Sequence, residues 1–307
     1  MDIFLQQIIN GLVQGSIYAL VALGYTMVYG IMGLINFAHG EVVMIGTLVT
    51  ISVAGFMIKA GMPVMLAGMA GLTAAVLVCM ALGWGLERIA YRPLRNAPRL
   101  TPLITAIGMS IVLQNVAMII WGRNYLTFPP LLPKVDFEFA GANFTAVQVI
   151  IVAVSALTMG GLLFLVYRTK LGMAMRATSQ NPAVASLMGV NINRVIAAAF
   201  IIGSALGVLA GIMVGTYYEI AHYQMGFMLG LKAFTAAVLG GIGNLAGAML
   251  GGILLGLIEA LGAGYIGDLT GGFLGSHYQD IFAFMVLIVV LMFKPSGLFG
   301  EKTGDRA

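Results

Sequence analysis

Apolar residues run in blocks along this chain, and polar residues collect between the blocks. The clearest blocks are 5–29, 34–57, 62–86, 101–121, 147–167, 195–217, 231–263 and 279–293. Most are near the roughly 20 residues that cross a bilayer as an α-helix. The 231–263 block is too long for one untilted helix and is full of glycine, so it reads as two short helices or a re-entrant hairpin. No linker, charge run or low-complexity segment divides the sequence, and 1–307 reads as one domain. The pattern predicts an all-α integral membrane protein, a polytopic bundle of about eight transmembrane helices with broken or re-entrant segments.

Composition supports this. Of the 307 residues, 60% are hydrophobic and only 8% are charged. The mean hydropathy is +1.01. A soluble domain carries roughly 25% charged residues, because its surface must stay wet. Residues 1–10 hold no Lys or Arg, and no small-residue cleavage site follows the first block. That segment is therefore expected to stay as a membrane helix rather than act as a secretory signal. A single cysteine, Cys79, excludes an intrachain disulfide.

The formal charge of +4 matters for where it sits. Eleven of the 15 Lys and Arg residues fall in three short stretches. Arg88, Arg92, Arg95 and Arg99 occupy 87–100, opposed only by Glu87. Arg168, Lys170, Arg176 and Arg194 occupy 168–194, and Lys294, Lys302 and Arg306 lie in the tail. Lys and Arg accumulate on the cytoplasmic side of membrane proteins, so these stretches, the C-terminus included, are expected there. The connection 122–146, with Arg123 and Lys134 against Asp136 and Glu138, is then external. Counting back through three spans places the N-terminus outside, unless Ile35–Glu41 dips into the membrane without crossing. Basic residues that flank membrane helices do not point to nucleic acid.

Glycine, at 42 residues, is roughly twice its average share. Within a bilayer glycine lets helix backbones approach closely. Gly203, Gly207, Gly211 and Gly215 recur every four residues along one helix face, and Gly11/Gly15 and Gly247/Gly251 are shorter versions. Helix packing is the simple reading of these rows, and the lining of a pathway is the other.

Three segments stand out as candidates for function. Ile35–Glu41 puts Asn36, His39 and Glu41 into an apolar run, where such groups are costly unless they face a cavity, the bundle interior or each other. It reads either as a helix break facing a transport route or as a cytoplasmic turn with Asn36 or Glu41 capping the next helix. Gly240, Gly241, Gly243 and Asn244 form a second candidate break, with an ordinary turn as the alternative. Lys232 and Glu259 flank it. In the basic connection 168–194, Asn181 is a good N-cap and Pro182 suits the first helical position. Val184, Leu187 and Met188 fall at i, i+3 and i+4, around Ala185, and Gly189 is a natural stop. A helix this short is marginal alone, so Pro182–Met188 is expected either to dock into a groove on another protein or to lie on lipid.

Several chemistries find no support. There is no HExxH pattern for a metal hydrolase and no Gly-x-Ser-x-Gly nucleophile. The segment Gly297–Thr303 departs from a phosphate loop, because Glu301 stands where the second glycine belongs. The chain is expected to bind no metal and no ATP of its own.

Taken in order, several motifs resemble the LivH-type permease of bacterial branched-chain amino-acid ABC importers. They are Tyr25-Thr26-Met27-Val28-Tyr29-Gly30 with Ile35–Glu41, Glu87–Arg95, Ala106–Ser110, Lys232–Gly241 and Lys294–Gly300. The resemblance covers nearly the whole chain. It implies an inner-membrane subunit for amino acids of the Leu, Ile and Val class, with no catalysis of its own. It also implies a second, LivM-type permease, a periplasmic amino-acid-binding protein, and two cytoplasmic ATPase subunits that use ATP and Mg. The segment Asn181–Gly189, with Arg176 before it, looks like the coupling helix that such permeases fit into an ATPase. Ala185 and Gly189 match the loose Ala-x-x-x-Gly signature there, although the usual acidic residue at its start is absent. Permeases for urea or short amides are similar in the same motifs, but some carry a long N-terminal extension that this chain lacks. An ion-coupled secondary transporter needs membrane-embedded ionisable groups, and only His39, Glu41, Lys232 and Glu259 are candidates.

Overall fold

The computed structural model describes residues 2–95, 97–98, 100–132, 135–139, 141–269 and 279–300. Arg99, Lys134, Lys302 and Arg306, on which part of the charge reading rests, and Glu301 and Thr303 of the phosphate-loop comparison lie outside that set. Each apolar block lies within helix, apart from residues 34–38, 62–63 and 241–244. The long helices are α1 (Asp2–Met32), α2 (His39–Lys59), α3 (Val64–Leu86), α4 (Leu100–Trp121) and α5 (Ala146–Arg168). Two short helices follow, α6 (Lys170–Gln180) and α7 (Pro182–Leu187), and then α8 (Ile192–Tyr218). The chain closes with α9 (Met225–Gly240), α10 (Leu245–Leu269) and α11 (Gln279–Phe293). Among the described residues seven helices are long and apolar enough to cross a membrane, with α9 and α11 as shorter apolar helices. This is a multi-pass membrane protein.

The 231–263 block resolves into an antiparallel pair of unequal helices. Its second limb, α10, is 25 residues long and a full span in itself, so the expectation of two short helices is corrected. Its first limb, α9, begins earlier, at Met225. Four small strands were not anticipated. β1 (Leu126–Thr127) pairs antiparallel with β4 (Ile220–Ala221), and β2 (Asp136–Phe139) with β3 (Ala142–Thr145). They close the end of the bundle opposite the basic connections. Thr145 then starts α5 with a capping box, its side chain and that of Gln148 each accepting the other's backbone N–H.

Helix α1 is the axis of the bundle, packed against α5, α8, α9 and α10. It runs antiparallel to α10 along small residues. A Cβ on Gly11 would meet Leu257, and one on Gly15 would meet Ile253. Without bulky side chains at this seam the two backbones come close, and dispersion contacts hold them where lipid offers no hydrophobic drive. The outer faces of α3, α4 and α5 expose large apolar side chains such as Met69, Ile104, Ile119 and Leu157. Those faces suit lipid or another membrane subunit.

Candidate functional site

The interruption after α1 is a break inside the bundle. The chain turns at Gly33 (φ +64°), where its N–H bonds Tyr29 O at 2.7 Å. Residues 33–38 then fold back along α1, because the His39 ring packs on Gly24. Gly24 lies eight residues before the end of α1, roughly 12 Å at the helical rise. On α8 the ring lies against Gly203 and Gly207; a Cβ at Gly207 would be 3.5 Å from it. These glycines sit roughly 17–22 Å from the start of a helix about 40 Å long. Helix α2 therefore begins near the middle of the bundle. Its N-cap residue is Ala38, with no side-chain cap, so the alternative of a turn capped by Asn36 or Glu41 does not form.

Polar groups around this break find partners on other helices. Glu41, fully buried, accepts hydrogen bonds from Ser110 Oγ (2.9 Å) and Gln114 Nε2 (2.8 Å), both mid-way along α4. Its second oxygen, Oε2, is buried with no partner among the described residues, as is His39 Nε2. Oε2 faces the first turn of α9, since a Cβ on Gly226 would lie 2.7 Å from it. The partial positive charge of a helix N-terminus favours a carboxylate there. Gly40 and Gly226 let the first turns of α2 and α9 cross backbone to backbone; a Cβ on Gly226 would stand 2.5 Å from Gly40 O. Asn36 lies nearer the basic end, where its Oδ1 accepts from Tyr91 Oη at 2.7 Å.

Tyr91 belongs to a single π-helical turn, Glu87–Tyr91, at the end of α3, and its ring packs on Phe200 of α8 at 5.1 Å. The same turn buries Glu87, which takes two hydrogen bonds from Arg92 (3.2 and 2.8 Å) and one from Arg95. This places two of the basic residues of that connection on one buried carboxylate. Burial holds the pKa of the Arg95 guanidinium below its ordinary value, and Glu87 opposes that shift.

The Gly240–Asn244 segment forms the ordinary turn of the two alternatives. Gly241 and Gly243 take φ of +109° and +95°, which only glycine adopts without strain. Asn244 caps α10, its Oδ1 accepting from Gly247 N at 3.0 Å. The chain after α11 lies on this turn: Leu298 N bonds Leu239 O and Phe299 N bonds Gly240 O, both at 2.9 Å. Asn244 Nδ2 completes the join to Phe299 O at 2.9 Å. The turn stands beside Gly30, at the basic end, well apart from His39 and Glu41.

In the basic connection, the expected helix is present as Pro182–Leu187, with Met188 as its C-cap. Asn181 Oδ1 accepts from Val184 N at 3.1 Å, and Gly189 (φ +86°) ends the helix. Ala185 is buried, whereas Val184, Leu187 and Met188 are 52%, 87% and 81% exposed. A second helix, α6, precedes it, capped by Thr169 on Gly172 N at 3.1 Å. Arg176 lies on α6 and is tied back to α5, donating to Val166 O and covering the Tyr167 ring at 5.4 Å. The glycine row of α8 forms a track for α2: Gly207 meets Val43, and Gly211 and Gly215 meet Thr47, with Phe128 from beyond β1 also against Gly215.

Some partners were not singled out from the sequence. Ser110 and Gln114 fall four apart in an apolar helix, and that spacing was the available signal. Lys232 and Glu259, noted as flanking residues, pair at 3.1 Å. Asp280 of α11 joins Lys232 at 2.7 Å, and Tyr18 of α1 donates to Glu259 at 2.8 Å.

These groups lie in a bundle of long apolar helices, one of which starts at mid-depth. Comparison with known proteins gives the family. The family model described as branched-chain amino acid transport system / permease component matches residues 7–291, and the chain belongs to that family. The high-affinity branched-chain amino acid transport system permease protein BraD of Pseudomonas aeruginosa is 46% identical, over 99% of this chain and 98% of its own length. LivH of Escherichia coli, of the same description, is 44% identical over 99% and 97%. A probable branched-chain amino acid transport permease protein of Methanocaldococcus jannaschii is 26% identical over 97% and 94%.

Proposed function

We propose that this chain is the membrane-spanning subunit through which branched-chain amino acids cross the inner membrane in an ATP-driven importer. The observation that carries the reading is the near full-length identity with branched-chain permeases of two bacteria. The partners are a second, LivM-type permease, two ATPase subunits and a periplasmic binding protein. ATP and Mg belong to the ATPases, and this chain makes and breaks no bond. The basic end, with the C-terminus, faces the cytoplasm by the distribution of Lys and Arg, and the strand end faces outward.

The exposed apolar face of α7 supports the docking of an ATPase at the basic end. Leu187 and Met188 project from a helix too short to stand without a partner. Rigid joins at Thr169 and Asn181 link α7 to α5 through α6, and α8 follows directly. A displacement of α7 on ATP binding would be passed to α5 and α8, and so to the glycine track under His39 and α2. His39, Glu41 and the α9 N-terminus then lie where an alternating pathway needs a few polar groups among small ones.

The test is purification of the tagged complex in mild detergent, followed by reconstitution with the binding protein. A second permease, two ATPase chains and ATP-dependent uptake of leucine but not urea are expected. Isolation of this chain alone, or uptake of urea in place of leucine, would overturn the reading. Leu187→Asp should release the ATPases and leave the bundle folded, and unchanged ATPase retention would remove α7 from the coupling route.

A further inference from the structure

At the basic end of the bundle a cleft of about 80 Å³ opens where α6 meets α1, α5 and the α9–α10 turn. It does not involve His39 or Glu41. Its walls are mainly apolar, with Met27, Ile31, Met175 and Leu245 facing it, and three polar side chains reach it, Thr26, Arg176 and Ser179. A single water needs roughly 10–15 Å³ of such space, so the cleft has room for a branched alkyl group.

Two of the polar groups are left incomplete by the protein. Threonines inside other helices, such as Thr47, Thr50 and Thr235, donate to the carbonyl four residues back. Thr26 of α1 does not: the residue is 1% exposed, and its Oγ1 is buried with no hydrogen-bond partner among the described residues. A buried hydroxyl left unpaired is costly. Arg176 donates to Val166 O and covers the Tyr167 ring, but no carboxylate pairs with it among the described residues. The connection 168–194 that carries it holds no Asp or Glu. A guanidinium has N–H donors to spare beyond one carbonyl bond, and its planar fork matches a carboxylate. Ser179 is by contrast already closed, its Oγ donating to Arg176 O at 2.8 Å. An uncompensated cation and an idle hydroxyl above an apolar wall suit a small aliphatic carboxylate.

We infer that this cleft binds a branched aliphatic carboxylate from the cytoplasmic side, with the carboxylate on Arg176 and Thr26 and the alkyl group on the apolar wall. The transported amino acids are of that class, so the site is one where imported substrate acts back on the importer. The inference rests on the transport reading above and adds regulation to it. Arg176 belongs to α6, which carries α7, and Thr26 belongs to α1, the axis of the bundle. A ligand held by both joins the coupling segment to the core and restrains the displacement of α7 that each cycle needs.

The first experiment is equilibrium dialysis of radiolabelled leucine against the assembled complex in detergent, without the binding protein. Isocaproate keeps the carboxylate and the alkyl group, and isoamylamine keeps the ammonium and the alkyl group. Isocaproate should displace leucine and isoamylamine should not. Thr26→Val should weaken leucine binding by about tenfold, the worth of one hydrogen bond to a charged group, and Arg176→Gln by at least as much. Since the Thr26 hydroxyl has no partner in the empty protein, the thermal midpoint of the unliganded Thr26→Val complex should equal or exceed that of wild type. The second experiment uses proteoliposomes with the ATPases outward and the binding protein and labelled leucine inside. Unlabelled leucine added outside should slow ATP hydrolysis at least about threefold in wild type and not in Thr26→Val. Absence of saturable binding, stronger competition by isoamylamine, or equal affinity and equal inhibition in the Thr26→Val complex would overturn the site. ATP-driven movement of labelled leucine out of the same vesicles separates the two claims. Movement without dialysis binding refutes the site alone, and absence of movement refutes the transport reading while the dialysis still decides the site.

Discussion

The two interruptions of the apolar pattern look alike in sequence and fold differently. Both contain asparagine and glycine in a long apolar run. After α1 the chain doubles back into the bundle, and α2 starts beside Gly203 and Gly207 of α8. Between α9 and α10 the chain merely reverses, at the end of the bundle. The side chains that follow each glycine account for the difference. His39 and Glu41 continue on the buried face of α2, and Glu41 has partners on α4. Buried polar groups need such partners, so this interruption is held from inside. The turn at 241–244 has one polar side chain, Asn244, and backbone groups of the tail bond to it and to the end of α9. A break that buries an ionisable side chain needs partners from other helices and is interior, whereas one that exposes mainly backbone groups can stay at the rim.

The largest test of that contrast is Gly226→Leu. A side chain there meets Gly40 O and the Glu41 carboxylate, so the first turns of α2 and α9 must part. Overpacking of this kind costs about 3 kcal/mol at its upper range. A clear fall in the thermal midpoint of the detergent-solubilised protein, with loss of uptake, is expected. A midpoint equal to wild type would mean that the crossing does not hold the break. Next in size is Glu41→Ala, which strands the donors of Ser110 and Gln114. Hydrogen bonds to charged groups are worth about 1.5–3 kcal/mol, and uptake should fall at least about tenfold if the polar centre serves the pathway. Normal uptake in that variant would separate the break from transport. At the other interruption, Gly243→Ala forces alanine into left-handed backbone. The expected cost is about 1–2 kcal/mol, with little loss of uptake, and a transport defect as deep as that of Glu41→Ala would erase the distinction between the two sites.

The spans were legible because length and apolarity are local properties. The α7 helix was legible for a similar reason, since Asn181, Pro182 and Gly189 mark its ends within nine residues. Helix α6 was passed over as part of a basic connection, because its packing against α1 and α5 is decided by tertiary structure, although its Thr169 cap is visible in retrospect. The Glu41 cluster could not be read, because its partners lie 69 and 73 residues further along. The sequence showed that Glu41 needed company without showing whose. The π turn at Glu87–Tyr91 has no sequence rule, and the strands at the rim are too short for an alternating pattern to register.

Tyr91→Phe is the smallest change and probes what keeps the start of the break in place. It removes one hydroxyl and leaves the ring on Phe200, so packing is conserved. Asn36 Oδ1 then loses its 2.7 Å donor. Hydrogen bonds between membrane helices average about 0.6 kcal/mol and reach about 1.7, so the midpoint should fall only slightly. The useful readout is transport measured beside that small shift. If uptake holds, the Gly40–Gly226 crossing and Glu41 suffice to fix α2, and the Asn36 bond is an accessory clasp between residues 33–38 and the end of α3. A large fall in uptake with a small change in stability would instead mean that this clasp sets the position of the break during the transport cycle. That outcome would move the weight of the comparison from the buried carboxylate to the joint at the basic end.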